Sequence, residues 1–307
     1  PAVFNMVVAN VIRGEGYSLH AGLGLSLGGV LNIALDPFFV LPFGLNMNIK
    51  GAAIATLISN VVTTLYFAIL LIVIRKKSVV SFSPKKASLA IKEKIARNVL
   101  FTGLPSALQT MLSAVSNLVL NSLMIGYGET AEAAIGVTKK IDAVPFGMVT
   151  GLAQGAAPLI AYNNGAKKYD KMKTTLKLSL CYCVGLAITV LIVVESAAGA
   201  LIEVFIKDAS TVTYGEKFLR LHCASLPFMA VTFMLVSYFQ AVGAKGKAFL
   251  LSIIRKGIVD IPLMYLLNVL IPVYGIVACQ PITDVISATV GVILYVLWKK
   301  KFQKTEE

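Results

Sequence analysis

Long apolar runs follow one another along this chain, divided by short polar or basic stretches. The runs at 19–42, 51–74, 98–125, 141–163, 178–206, 219–243, 248–271 and 275–298 each come near the length of about 20 residues that a helix needs to cross a bilayer. The stretch before Arg13 is apolar but shorter, and reads as the end of a further helix. The pattern predicts an all-α polytopic membrane protein with about eight full spans and a partial one.

Polar residues inside the runs then become informative. The segment LNIALDPFFVLPF, residues 31–43, carries Asn32, Asp36, Pro37 and Pro42 within apolar surroundings. A carboxylate in hydrocarbon is costly, so its presence points to a task. Asn32 and Asp36 are four residues apart and share one helix face. Such a carboxylate suits the exchange of a proton for a cation; the competing reading has Asp36 capping backbone groups freed by Pro37.

Composition agrees with a membrane protein. The chain is 57% hydrophobic and 14% charged, with a mean hydropathy of +0.81, against a charged share of about a quarter in soluble domains. The first apolar run has neither a basic leader nor a small-residue cleavage site, so it is not a signal peptide. The net charge of +13 changes the picture only through its distribution. With successive segments on alternate sides of a membrane, 20 of the 28 Lys and Arg fall on one side and six on the other, leaving Arg255 and Lys256 in or at the mouth of a helix. That asymmetry marks the basic loops and the C-terminus as cytoplasmic. It calls for contact with anionic membrane lipids and for no nucleic acid.

The segment around Asp36 has a second copy. Asp36 aligns with Asp260, Gly51 with Gly275, Ser59 with Thr283 and Arg75 with Lys299, all at one constant offset of 224 in the numbering. Both copies end in a basic stop, so the repeat is parallel, with its axis along the membrane normal. The expected organisation is 1–77 as the later part of a first lobe, 78–97 as a cytoplasmic linker, 98–301 as a six-helix second lobe and 302–307 as a cytoplasmic tail. By the same offset, a complete first lobe calls for about 125 residues ahead of Pro1. In the second copy Lys256 stands where Asn32 stands in the first, and Lys256 and Asp260 read as a neutralised pair.

Three motifs carry a family likeness: NVIRGEG, LNIALDPFFV followed by GAAIAT, and GLAQGAAPLIAYNNGAKKYDK. Together they resemble the multidrug and toxin extrusion (MATE) transporters, over nearly the whole chain. The resemblance implies two pseudo-symmetric six-helix lobes forming a V, the first incomplete here, alternating access, and export of small cationic amphipathic compounds against inward Na⁺ or H⁺. It implies a monomer in the cell membrane that needs no cofactor beyond the coupling ion. It also assigns Asn32, Asp36 and Thr56 to a cation-coupling site, with a further Asp on a first helix outside this sequence. The acidic residues that another branch of the family carries on its seventh and tenth helices are missing from 98–125 and 225–243.

Gln109, Asn117, Asn121, Asp142, Met148 and Gln154 are candidates for a substrate path, with Met111 and Phe146 as apolar wall. Gly147, Gly151, Gly155 and Pro158 predict a bent helix closely approached by neighbours. Glu195 and His222 are expected at the interface. Cys181, Cys183, Cys223 and Cys279 read as packing residues without metal spacing. The chain has two His, no phosphate-binding loop and no nucleophile motif, which speaks against an enzyme or an ATP-driven pump. The alternative is a lipid-linked oligosaccharide flippase, disfavoured here because basic residues are expected to stay in loops.

Overall fold

A computed structural model describes residues 1–41, 44–76, 78 and 95–306, with side chains to residue 300. All regular structure among the described residues is helical: α1 (Ala2–Gly14), α2 (Ser18–Val40), α3 (Asn48–Ile74), α4 (Ile95–Ile125), α5 (Glu129–Gly165), α6 (Tyr169–Glu203), α7 (Ala209–Cys223), α8 (Leu226–Ala241), α9 (Lys245–Ile253), a π-helical turn (Ile254–Ile258), α10 (Asp260–Leu270) and α11 (Tyr274–Glu306). Six helices are long and apolar enough to cross a membrane, and a seventh span results if α7 and α8 are taken together. Large apolar side chains such as Ile33, Ile72, Ile192 and Leu270 stand exposed, as they do where the solvent is lipid.

The chain divides into two compact units, Pro1–Lys92 and Glu93–Glu307. The boundary falls within the expected linker 78–97, most of which lies outside the described residues, as does Pro42. In the first unit, Val8 and Ile12 of α1 pack with Ala21 of α2 and with Phe67, Leu70 and Ile74 of α3. In the second, one core joins Ile160, Met172, Met234 and Phe239, and another joins Met124, Ile135, Phe218, Met264 and Ile276.

Two expected spans are interrupted. The run 219–243 is bent by 42° between α7 and α8, where Pro227 opens the new helix in its first turn and needs no backbone donor. The run 248–271 is broken by the π-helical turn, in which the Val259 amide donates to the Ile254 carbonyl at 3.2 Å. This turn carries Arg255 and Lys256, both buried. The span expected at 141–163 starts earlier, at Glu129, because Lys139 and Lys140 are absorbed into α5.

The paired glycines of the repeat meet one constraint. Gly51 opens α3 after the turn from α2, and a Cβ there would lie 2.5 Å from the Phe39 carbonyl oxygen. Gly275 opens α11 after the turn from α10, and a Cβ there would collide with the Leu267 carbonyl oxygen. Rigid backbone faces both positions, so neither can yield by a side-chain rotation. We expect Gly51→Ala and Gly275→Ala each to cost about 1–3 kcal/mol, seen as a lower melting temperature in detergent, whereas Gly147→Ala leaves it unchanged.

Candidate functional site

Asp36 is positioned by the packing of α2 on α3. Gly24, Gly28, Asn32 and Asp36 recur every four residues and so line one face of α2. A Cβ on Gly24 would strike the Phe67 ring at 2.6 Å, and one on Gly28 would strike the Thr63 hydroxyl. With no side chain at either place, α3 lies close enough for the next residue on the strip to reach across. The Asn32 amide Nδ2 donates to Asp36 Oδ1 at 3.3 Å and to Thr56 Oγ1 of α3 at 3.4 Å. The three residues assigned to cation coupling thus meet in one cluster. The Asp36 carboxylate bonds Asn32, and it makes no ion pair among the described residues.

A cavity of about 320 Å³ adjoins this cluster, lined by Asn5, Gly28, Asn32, Thr56, Ser59 and Asn60 among others. Asn5, buried on the short α1, donates to the Asn60 carbonyl at 3.0 Å and accepts from Thr64 Oγ1 at 2.9 Å. Sequence reading did not single it out. The signal was there: one Asn on the apolar face of a 13-residue helix.

In the second unit the counterpart cluster is fully paired. Lys256 Nζ lies 3.2 Å from Asp260 Oδ2 and donates to Gln280 Oε1 at 2.6 Å. Ser116 Oγ donates to Asp260 Oδ2 at 2.5 Å, and the Cys279 thiol donates to the Asp260 carbonyl at 3.2 Å. Beside it, Arg255 Nε holds Asp284 Oδ1 at 2.6 Å, Gln280 Nε2 donates to Asp284 Oδ2 at 2.8 Å, and the guanidinium sits 4.8 Å from the Phe233 ring. Arg255 and Asp284 are 2% and 0% exposed, so each charge depends on the other for its solvation.

These cations correct the expectation that basic residues stay in loops. Arg255, Lys256 and Lys139 line a cavity of about 230 Å³ with Asp142 and His222. Lys139 donates to Asn117 Oδ1. His222 is buried within the protein, with Nε2 at 3.2 Å from Asp142 Oδ2 and Nδ1 without a partner among the described residues. Glu195 is half-exposed and pairs with Arg220 at 3.7 Å.

Among the substrate-path candidates, Gln109, Asn117 and Gln154 line a neighbouring cavity of about 530 Å³, together with Phe146 and Phe233, and Asp142 lines the smaller one. Gln109 is buried there, its Nε2 without a partner among the described residues. Asn121 and Met148 are exposed and line neither, and Met111 faces outward as well. Gly147, Gly151 and Gly155 have no atom of the described residues within 4 Å of where a Cβ would stand, so no described helix packs closely against them. Small residues spaced by four fit an open helix face as well as a tight one.

Residues 105–266 match the MatE family model. The chain belongs to the MatE family. It is 30% identical over 295 residues to the multidrug export protein MepA of Staphylococcus saprophyticus, covering 96% of this chain and 64% of that protein. It is 28% identical to the protein of the same name from Staphylococcus aureus strain N315, over the same shares. The solved outward-facing conformation of a multidrug resistance MATE family transporter of the MOP superfamily matches with a TM-score of 0.87 at 26% identity, over 98% of this chain and 67% of that one. The chain therefore spans just under two thirds of the curated relatives it matches. The all-α fold expected from the sequence stands, and the protein is a multi-pass membrane protein.

The buried ion pair of the second unit makes a direct prediction. Asp284→Asn leaves the Arg255 guanidinium unpaired and should cost about 3–5 kcal/mol in thermal unfolding in micelles. Replacing both, Arg255→Met with Asp284→Leu, should recover most of that loss.

Proposed function

We propose that the chain is part of a secondary transporter that exports small amphipathic drugs by alternating access, driven by inward Na⁺ or H⁺. It is not an enzyme, and its relatives are named for multidrug export. The observation that carries the coupling role is the Asn32–Asp36–Thr56 cluster: a carboxylate with no ion-pair partner among the described residues is bonded by Asn32, which lines a cavity together with Thr56 and residues of α1. The carboxylate and the Thr56 hydroxyl supply hard oxygen ligands of the kind that bind Na⁺, and the same carboxylate can carry a proton. Competition between cation and proton for this one group, and its dependence on conformation, would link ion entry to drug exit.

In this reading the drug path in the second unit runs along Gln109, Asn117, Asp142 and Gln154, with aromatic surface from Phe146 and Phe233. The two units take the roles of the two lobes, the C-terminus is cytoplasmic, and one chain acts alone among membrane lipids. A lipid-linked oligosaccharide flippase is no longer disfavoured by the placement of basic residues, since Lys139, Arg255 and Lys256 line a cavity; the export names of the relatives support the drug reading instead.

Ethidium efflux from a pump-deficient bacterium or from liposomes, under an imposed Na⁺ or H⁺ gradient, tests the proposal with the full-length protein. Asp36→Asn should abolish gradient-driven efflux while the protein remains folded. Asn32→Ala, which removes the group orienting Asp36, should weaken the apparent affinity for the coupling ion roughly ten- to a hundredfold. Unchanged efflux in Asp36→Asn would reduce the carboxylate to a structural group. Absence of drug movement under either gradient would favour the flippase.

A further inference from the structure

The two acidic clusters are the same hydrogen-bonded figure, differing by one positive charge. Asn32, Asp36 and Thr56 map onto Lys256, Asp260 and Gln280 at the constant offset of 224, without a gap. In the first, the Asn32 Nδ2 group bridges a carboxylate oxygen of Asp36 and the Thr56 oxygen. In the second, Lys256 Nζ bridges a carboxylate oxygen of Asp260 and the Gln280 oxygen. The surroundings correspond as well: Gly24 and Gly28 have small, fully buried counterparts in Ala248 and Ser252, and both carboxylates precede a proline by one or two residues.

A neutral amide bridging the two acceptors leaves Asp36 with its charge uncompensated. An ammonium bridging the equivalent two acceptors compensates Asp260. The additional carboxylate in the second unit, Asp284, is matched in turn by Arg255. Each carboxylate of that cluster thus has a cationic side chain of the same chain beside it, whereas the first unit must draw its cation from solution.

We infer that the Lys256 ammonium is a tethered cation, filling permanently in the second unit a monovalent-cation site that in the first unit is filled and emptied. This rests on the reading of Asn32, Asp36 and Thr56 as a cation site. Its consequence for transport is asymmetric coupling, with ion exchange confined to the first unit and the second held constantly loaded. Removing the ammonium while leaving Asp260 and Gln280 in place should uncover a second site for a small monovalent cation, because two oxygen ligands and an uncompensated charge remain.

The test is the melting temperature of the full-length protein in detergent, at fixed pH and ionic strength, as NaCl replaces choline chloride. Asp36→Asn alone removes the first site and should show no response to Na⁺. Asp36→Asn with Lys256→Asn should regain one, a saturable rise of roughly 3 °C or more. Adding Asp260→Asn should abolish it again. A folded double variant that ignores Na⁺, or a response that survives Asp260→Asn, overturns the inference and leaves Lys256 as a structural counter-ion. Should the double variant fail to fold, Lys256→Gln with Asp36 intact carries the test through its monodisperse yield: dependence on Na⁺ over choline that is lost with Asp260→Asn supports the tethered cation, and equal yields in the two salts overturn it. Loss of the export reading would appear separately, as absence of drug movement under either gradient, and would not alter the Na⁺ response of the Lys256 variants.

Discussion

A carboxylate inside hydrocarbon must be matched by a cation or a proton, and much of this structure follows from how that requirement is met. Transfer of an unpaired charge into a low-dielectric interior costs several kcal/mol even after relaxation. For its buried carboxylates the second unit supplies partners from its own side chains: Arg255 for Asp284, Lys256 for Asp260, and His222 beside Asp142. In the first unit Asp36 has the neutral donor Asn32, and its requirement stays open to the medium. The two units thus meet the requirement differently, the second committing its charges to a fixed network and the first leaving one carboxylate without an ion-pair partner among the described residues.

Helix geometry translates this electrostatic difference into shape. The glycines of α2 hold the adjoining face of α3 near enough for an amide to reach Thr56, so cluster formation depends on absent side chains as much as on present ones. In the second unit the helix that carries the two cations widens into a π-turn at Ile254–Ile258, and Arg255 and Lys256 are both taken inside. Such turns often mark functional positions, because they bury an additional residue at the expense of regular hydrogen bonding. The bend between α7 and α8 follows directly on His222, next to its pairing with Asp142.

What could be read in advance was what repeats locally or at a fixed interval. Apolar length gave the helices, the four-residue spacing joined Asn32 to Asp36, and the offset of 224 found Lys256 and Asp260. The same offset leads from Thr56 to Gln280, so the third member of the second cluster was legible too, though it became meaningful only when Lys256 was seen to bond it. The Asp142–His222 pair was not legible. Its members lie far apart in the chain, on helices whose contact no local pattern encodes, and a lone His near the end of an apolar run reads equally as interfacial. Asn5 was overlooked because the run holding it is too short to count as a span. The glycines of α5 were misread because spacing by four records that one face is small without saying whether anything occupies it.

The repeat also bounds what the two units can do. If duplication produced both clusters, the ancestral figure was an acid, a bridging donor and an acceptor on two adjacent helices, since these survive in both copies. Exchanging the bridging donor between amide and ammonium changes the charge of the site by one, since Asn32 and Lys256 each stand four residues before their carboxylates. A single substitution is thus enough to convert a cluster whose acid lacks a charged partner into one whose acid has one. Selection for stability acting on one copy alone would favour this division, since a buried acid with a charged partner costs less than one without.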